Sequence, residues 1–198
     1  MNFVINYLLQ NYVETLGVIL SFCYLFFSVR GKVWLWVFGF LSAVCYSIVF
    51  FQSKFYALGL LQVYYIAMSV YGFYFWITRK DEDNSDFVKI SKIGGKQAFV
   101  SLIIALGCFG LLFWIINNYT ESPVPIGDSF TASLCIVGTW LLARKILENW
   151  LLFIVADTVC VGLFIYQQMY LTALLFVVYT VMGILGYFRW CSQYRNQI

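Results

Sequence analysis

Asp157 is the side chain of this chain that is best suited to bind a charged or polar ligand. It lies near the centre of the almost continuously apolar run 149–167, which has the length of a membrane-spanning helix. A carboxylate in the middle of a bilayer costs roughly 2.5–3.5 kcal/mol on insertion scales, so such a group is expected to face a cavity or a partner. Two interpretations stay open: a contact to a substrate or ion, and a structural role as a hydrogen bond between helices or as a protonated carboxyl.

The neighbours of Asp157 in the sequence favour an organic cation or a polyhydroxylated ligand. Trp150 and Phe153 fall on the same helix face as Asp157, and Cys160 continues that face. Aromatic faces attract cations. No lysine or arginine lies at a matching depth in any predicted helix, which removes the simplest structural ion pair.

Three further helical faces combine aromatic rings with small or polar residues. Small residues allow helices to approach closely, so these faces predict either packing surfaces or the lining of a pathway. The faces are Trp36, Gly39, Ala43 and Tyr46; Gln62, Tyr65, Ser69 and Gly72; and Phe176, Tyr179, Gly183 and Gly186. The predicted substrate-binding residues are Asp157, Trp150, Trp36, Gln62, Tyr65, Tyr179, Tyr46 and Phe153.

Metal, redox and enzymatic chemistry are disfavoured. The six cysteines are scattered without metal-site spacing, and the chain has no histidine, the commonest metal ligand and near-neutral proton carrier. A membrane enzyme would need paired acid and base groups, whereas this sequence offers one buried acid. We therefore expect no metal, no cofactor and no catalytic residues. A non-catalytic assembly or sensor protein stays possible.

The composition places the whole chain in a membrane. It is 63% hydrophobic and 11% charged, whereas soluble domains carry roughly 25% charged residues. The net charge of +3 is small and does not suggest nucleic acid. The start lacks a basic n-region and a small-residue cleavage site, so the first hydrophobic helix is expected to serve as an uncleaved insertion signal, in a bacterial inner membrane.

Seven apolar runs are long enough to cross a bilayer. They lie near 13–29, 33–51, 55–77, 97–116, 129–146, 149–167 and 170–190. Two connections are longer than the others. Residues 78–96 are charged and are expected to be a solvated connector, and residues 117–128 hold both prolines and are expected to form a loop.

The basic residues set the orientation of these seven predicted helices. The short connections 30–32 and 144–145, the connector after the third helix and the residues after the seventh all carry Lys or Arg. All these fall on one side of the membrane, whereas the opposite side has only Lys54. The positive-inside rule then predicts an outer N-terminus and a cytoplasmic C-terminus.

The sequence also contains an internal repeat. Shifting residues 144–190 back by 114 positions aligns them without a gap with residues 30–76. The matched residues include Arg144 with Arg30, Trp150 with Trp36, Tyr179 with Tyr65, Gly186 with Gly72 and Trp190 with Trp76. Within a single membrane domain, 1–198, we expect a first three-helix repeat at 13–77, a linker helix at 97–116 and a second repeat at 129–190. Because the linker helix brings the chain back across the membrane, the two repeats should be parallel, in the 3+1+3 plan of SWEET-type transporters.

Two stretches resemble the Pnu-type B-vitamin transporters, typified by the nicotinamide riboside transporter. The motif ENWLLF with the downstream Asp157, followed by MYLTALLFVVYTVMGILGYFRW, is similar to their C-terminal half. The stretch VWLWVFGFLSAVCYSIVFFQSKFYALGLLQVYYIAMSVYGFYFW is similar to their N-terminal half. The resemblance implies an all-α fold of seven helices in a 3+1+3 arrangement, facilitated diffusion of an unphosphorylated vitamin, trapping inside by a kinase, and a homo-oligomer, with a trimer expected.

Nicotinamide riboside is the first expected substrate and thiamine the second, since both carry a positive ring that suits Asp157 and aromatic side chains. Riboflavin is carried by other relatives. A sugar uniporter of the same plan is the alternative of another class. Such proteins use prolines within their helices as hinges, whereas Pro123 and Pro125 are both expected in a loop.

Overall fold

The protein is all-helical in a computed structural model that describes residues 12–52, 56–78, 89–120, 122–168 and 170–197. These residues form seven α-helices, the number predicted. The helices are α1 (Tyr12–Val29), α2 (Trp34–Gln52), α3 (Tyr56–Thr78), α4 (Gly95–Tyr119), α5 (Pro125–Ala143), α6 (Asn149–Tyr166) and α7 (Tyr170–Arg195).

Each predicted helix is present at its predicted position, and the helix ends differ from the prediction by a few residues. Helix α5 begins at Pro125, which occupies its first turn, so the prediction that both prolines lie in a loop was wrong for Pro125. Proline is well suited to a first helical turn because the amide it lacks would have no helical partner there. Helix α5 also ends at Ala143, three residues before its predicted end, since the chain turns at Arg144.

Four of the helices are long and apolar enough to cross a bilayer: α4, α5, α6 and the Ala173–Arg195 part of α7. The described parts of α1 and α2 contain the shorter apolar helices Thr15–Val29 and Trp34–Val49. Helix α4 is the most apolar and the least buried of the four. A helix that is apolar on all sides and is not covered by other helices is typical of a helix that faces lipid.

The chain forms two compact helical units, residues 12–78 and 89–197 among those described. In the first unit, α2 packs against both α1 and α3. In the second unit, α4 packs against α5, α5 against α6, and α6 against α7. The linker helix α4 therefore belongs structurally to the second unit, in addition to the topological role predicted for it.

Each unit is held together by an indole ring packed on a glycine of the neighbouring helix. In the second unit Trp150 of α6 packs against Gly186 of α7, and a Cβ at Gly186 would come within 2.6 Å of the Trp150 ring. Trp190, one turn further along α7, meets Trp150 edge-on at 5.7 Å between ring centroids. The first unit repeats this arrangement with Trp36, Gly72 and Trp76, whose two indoles are also 5.7 Å apart.

The turns before α2 and α6 share one backbone conformation. Gly31 has φ 63° and Lys145, 114 residues later, has φ 57°. Left-handed backbone of this kind is easy for glycine and costly for other residues, so Lys145 must be held in place by its surroundings. Equivalent backbone hydrogen bonds close both turns. In the first turn the donors are the amides of Arg30, Gly31, Lys32, Leu35 and Trp36. In the second turn they are the amides of Arg144, Lys145, Ile146, Asn149 and Trp150.

We predict that Gly186→Ala destabilises the second unit. The added methyl would overlap the Trp150 ring, and overpacking of this kind typically costs about 1–3 kcal/mol. Gly162→Ala on α6 is the matched control, because a Cβ there has no neighbour within 4 Å. Thermal unfolding in one detergent should show a lowered midpoint for Gly186→Ala and an unchanged or slightly raised midpoint for Gly162→Ala. Equal unfolding midpoints for the two variants would contradict the close packing of the Trp150 ring on Gly186.

Candidate functional site

Asp157 lies in the middle of α6 with a half-buried side chain. Within the described part of the chain, its carboxylate has no hydrogen bond and no salt bridge. The structural alternative of a hydrogen bond between helices therefore finds no partner among those residues. A carboxylate in an apolar helix that lacks a protein partner is the kind of group expected to meet a ligand or a water-filled path.

Helix α5 adds a set of buried hydroxyl groups that the sequence analysis missed. The hydroxyls of Ser129, Thr131, Ser133 and Thr139 are on buried residues, and each donates to a carbonyl of its own helix. Donating to the preceding turn satisfies the hydroxyl proton in an apolar setting. The oxygen atoms still carry lone pairs, so α5 keeps the capacity to accept hydrogen bonds. The density of serine and threonine between residues 129 and 139 was the available signal in the sequence.

Thr131 is the member of this set that lies beside Cys160 of α6. Its hydroxyl donates to the carbonyl oxygens of Gly127 and Asp128 at 3.0 and 3.2 Å. Cys160 lies one turn after Asp157 and interacts electrostatically with it. The predicted stripe of Asp157 and Cys160 on α6 therefore faces a polar position of α5.

Asp128 is a second half-buried acid of this unit. The sequence analysis placed it in a loop, whereas it lies in the first turn of α5, where a negative charge is favoured by the helix dipole. Its carboxylate accepts a hydrogen bond from the Ser122 hydroxyl and also acts electrostatically on Cys160. Asp128 differs from Asp157 in lying at a helix end and in having a hydrogen-bond partner.

Trp150 and Phe153 continue the stripe of Asp157 toward the start of α6. Trp150 is only 2% exposed, and Phe153 meets it edge-on at 6.5 Å between ring centroids. The indole nitrogen of Trp150 is buried without a hydrogen-bond partner in the described residues. The side chain of the adjacent Asn149 is fully buried: its nitrogen donates to the Ile146 carbonyl at 2.6 Å and its oxygen has no partner there. Asn149 is therefore a polar position that the sequence analysis left unassigned.

The Phe153 ring of α6 packs on Gly138 of α5. The first unit has an equivalent contact, but there the glycine is on the second helix of the pair and the ring is on the first. A Cβ at Gly138 would lie 3.0 Å from the Phe153 ring. In the first unit the gap is Gly39 of α2, and the ring is Tyr24 of α1, again at 3.0 Å. Position 153 corresponds to 39, and 138 to 24, at the offset of 114. In the second unit the ring thus belongs to α6, the helix that also carries Asp157.

Four predicted site residues lie in the first unit. Trp36 is 2% exposed, and its indole nitrogen has no partner among the described residues. Tyr46 is half-buried and packs beside Gly17, whose added Cβ would lie 3.3 Å from the Tyr46 ring. Tyr65 is half-buried against Tyr64, with 5.6 Å between ring centroids, and Gln62 is half-buried one turn before it. The structure thus gives Trp36 a packing role and leaves the other three partly accessible.

The fourth candidate of the second unit, Tyr179, is a half-buried residue of α7. Its ring meets Phe176 edge-on at 5.5 Å, and Phe176 in turn lies 5.1 Å from Phe164 of α6. Tyr179 therefore belongs to an aromatic cluster between α6 and α7. In the described residues no group of three or more Cys, Asp or Glu side chains is arranged to hold a metal ion.

The polar centre of each unit has a different chemistry. In the first unit, the hydroxyl oxygens of Ser21 and Ser42 lie 2.7 Å apart. Each hydroxyl is also within hydrogen-bond distance of the Gly17 carbonyl oxygen, to which it can donate. In the second unit, alanine stands at the position of Ser42, and Asp157 stands at the position of Ala43. The first unit thus has a satisfied neutral network, and the second has a carboxylate with no hydrogen-bond partner in the described residues.

Comparison with known proteins places the chain in a family. Residues 11–192 match the family model described as nicotinamide mononucleotide transporter. The chain is 26% identical over 211 residues to the nicotinamide riboside transporter PnuC of Escherichia coli (strain K12), covering 94% of this chain and 88% of that protein. The PnuC of Shigella flexneri matches with the same identity and coverage.

The fold is also that of a solved transporter. A crystal structure of the vitamin B3 transporter PnuC superimposes with a TM-score of 0.74 at 18% sequence identity, covering 98% of this chain and 87% of that one. The family match spans nearly the whole chain and confirms the resemblance drawn from the two motifs. The chain belongs to the nicotinamide mononucleotide transporter family, a family of membrane transporters rather than of enzymes.

Proposed function

We propose that this protein takes up nicotinamide riboside across a bacterial inner membrane by facilitated diffusion, and that phosphorylation inside the cell traps the vitamin. The relatives named as nicotinamide riboside transporters support the substrate. The single observation that carries the mechanism is the half-buried carboxylate of Asp157, which has no hydrogen-bond or salt-bridge partner in the described part of the chain. The positive pyridinium ring of the vitamin supplies the missing countercharge.

The chemistry around Asp157 matches both halves of this substrate. A carboxylate attracts the ring cation more strongly as the effective dielectric falls. It can also accept hydrogen bonds from ribose hydroxyls, and such charge-assisted bonds are stronger than neutral ones. Phe153 on the same helix and Tyr179 on the next supply aromatic surface for the ring, and the buried Trp150 packs behind Phe153. Gln62, Tyr65 and Tyr46 are the partly accessible candidates in the first unit, and Trp36 is a buried packing residue there.

We further propose seven membrane spans in a 3+1+3 plan with two parallel repeats. Three pairs of equivalent features support it: the two indole–glycine contacts, the two left-handed turns, and the Arg30–Phe26 and Arg144–Trp140 cation–π contacts, at 3.9 and 4.6 Å. All three pairs recur at an offset of 114 residues. A homo-oligomer, with a trimer as the expected number, completes the proposed transporter.

Replacing the Asp157 carboxylate should cost affinity rather than stability. Asp157→Asn keeps the shape and removes the charge, so nicotinamide riboside should bind about tenfold or more weakly, taking a hydrogen bond to a charged group as roughly 1.5–3 kcal/mol. Asp128→Asn is the matched control, since Asp128 already has the Ser122 hydroxyl as a partner. Affinity and thermal stability are measured on the same preparation. Unchanged affinity with a lowered melting temperature would assign Asp157 a structural role instead.

Transport should follow the vitamin gradient alone. The chain has no histidine, and Asp157 has no basic residue at its depth from which a proton relay could be built. Proteoliposomes without an ion gradient should therefore bring internal and external nicotinamide riboside to the same concentration. Thiamine and riboflavin serve as comparison substrates in the same vesicles. A strict requirement for a proton or sodium gradient would refute facilitated diffusion.

The orientation can be tested by labelling. Cysteines introduced at Ser85, which lies outside the described residues, and at Ser122, between α4 and α5, should react from opposite sides of the membrane. An impermeant thiol reagent applied to intact cells is expected to label the Ser122→Cys variant and to spare the Ser85→Cys variant. The basic residues of 78–96 motivate the cytoplasmic position. Labelling of both from one side would exclude the seven-span plan.

A further inference from the structure

Residues 89–94, the last part of the charged connector before α4, form a segment that we name the strap. It packs within the second unit against the turn between α5 and α6 and against the ends of α6 and α7. The sequence analysis expected the whole connector to be solvated, and for these residues that expectation was wrong. Ile90 is only 3% exposed. Ile93 packs against the buried cluster of Val137, Leu141 and Ile146. Ile90 and Ile93 flank the exposed Ser91 and Lys92. Burial of these two apolar side chains explains why the strap packs on the helices although its composition is polar.

Backbone hydrogen bonds join the strap to the turn between α5 and α6. The Ser91 amide donates to the Lys145 carbonyl at 3.1 Å, and the Leu147 amide donates to the Ser91 carbonyl at 2.9 Å. These two bonds form a parallel bridge between Ser91 and Ile146. The bridge fixes the residue after Lys145, so it helps to hold the left-handed backbone of Lys145 described above.

Side chains of α6 and α7 bind the strap from two other sides. The Glu148 carboxylate, at the start of α6, accepts a hydrogen bond from the Ile93 amide at 2.8 Å. The side-chain oxygen of Gln197, after α7, accepts from the Ile90 amide at 3.1 Å. The ammonium of Lys92 lies 5.2 Å from the centre of the Tyr194 ring. Helix α4 begins directly after the strap, so these contacts join the ends of all four helices of the second unit.

The equivalent turn of the first unit lacks the side chains that the strap covers. Ile146 and Leu147 are each 2% exposed beneath the strap. Lys32 and Val33 stand at the same positions of the first turn, and Lys32 is exposed. The backbone of the two turns is alike, yet only the second carries an apolar surface that gains from being covered.

We propose that the strap is a permanent clamp that keeps the cytoplasmic ends of α4, α5, α6 and α7 together throughout transport. Elements that move during function have few buried apolar contacts and exposed backbone hydrogen bonds. The strap has the opposite properties, with a buried Ile90 and its amides bonded to three separate elements. Conformational change at the cytoplasmic end is then left to the first unit. This assignment of motion rests on the proposed transport function, whereas the clamp itself does not.

A reversible cross-link tests whether the strap has to move. The pair Ser91→Cys and Ile146→Cys joins the two bridge partners, in protein whose six native cysteines are replaced by alanine and whose own transport is the reference. The oxidised pair should carry nicotinamide riboside into proteoliposomes at the rate of the same pair after reduction. Loss of transport on oxidation that a reductant restores would overturn the clamp and make the strap a moving gate. Failure of the pair to oxidise would contradict the contact itself.

Hydrogen exchange tests the clamp without any transport assay. In purified protein, amides of 89–94 should exchange slowly both without ligand and with saturating nicotinamide riboside. Glu148→Ala should speed exchange in the strap about tenfold or more, as expected for loss of a hydrogen bond to a charged group, whereas Glu148→Gln, which keeps an acceptor oxygen, should speed it less. Faster exchange on adding the vitamin, or no response to Glu148→Ala, would overturn the proposal. If the unmodified protein fails to carry the vitamin, the proposed function falls while this exchange result still decides the clamp.

Discussion

The close approach of helices through an indole seated on a glycine is the constraint on which both units depend. Lipid supplies little hydrophobic force to hold helices together, so close packing and polar contacts must do so. Trp150 on Gly186 and Trp36 on Gly72 provide such packing, and an edge-on indole strengthens each contact. Aromatic pairs of this geometry contribute about 0.5–1.5 kcal/mol beyond the area they bury. The stripe that carries Asp157 is oriented by the same contact, because Trp150 fixes the rotation of α6.

Among the residues that the structure describes, several hydroxyl groups of the two units find a hydrogen-bond partner close at hand, and the carboxylate of Asp157 does not. Hydroxyl groups of α5 donate hydrogen bonds to carbonyl oxygens of their own helix, and the hydroxyls of Ser21 and Ser42 in the first unit are hydrogen-bonded to each other. An unsatisfied polar group in an apolar interior is expensive. The described residues leave the carboxylate of Asp157 without such a partner, although it is the costliest group of all to leave unpaired. A ligand that brings a positive charge and hydroxyl donors resolves this cost, and the relatives are named for transporting such a molecule.

The sequence predicted the helices well because a membrane-spanning helix is a long apolar run, and the runs are separated by short polar breaks. Pro125 was misplaced because proline marks both loops and first helical turns. The strap was missed because its composition is polar, and the burial of Ile90 depends on a surface formed by distant residues. The sequence placed Trp36 and Trp150 on stripes with small or polar residues, yet it could not separate packing from pathway lining. That separation needed the position of the glycine opposite each ring, which only the folded helices define.

The central claim is that the charge of the ligand is matched by the charge of Asp157, and a change in the ligand tests it most directly. Nicotinamide riboside and its dihydro form are nearly alike in shape, but only the oxidised ring is positively charged. Calorimetric titration of the unmodified protein with each should show the oxidised form binding about tenfold or more tightly, a difference of roughly 1.4 kcal/mol. Equal affinity for the charged and the neutral form would contradict the account, because recognition would then rest on shape and hydroxyl contacts alone.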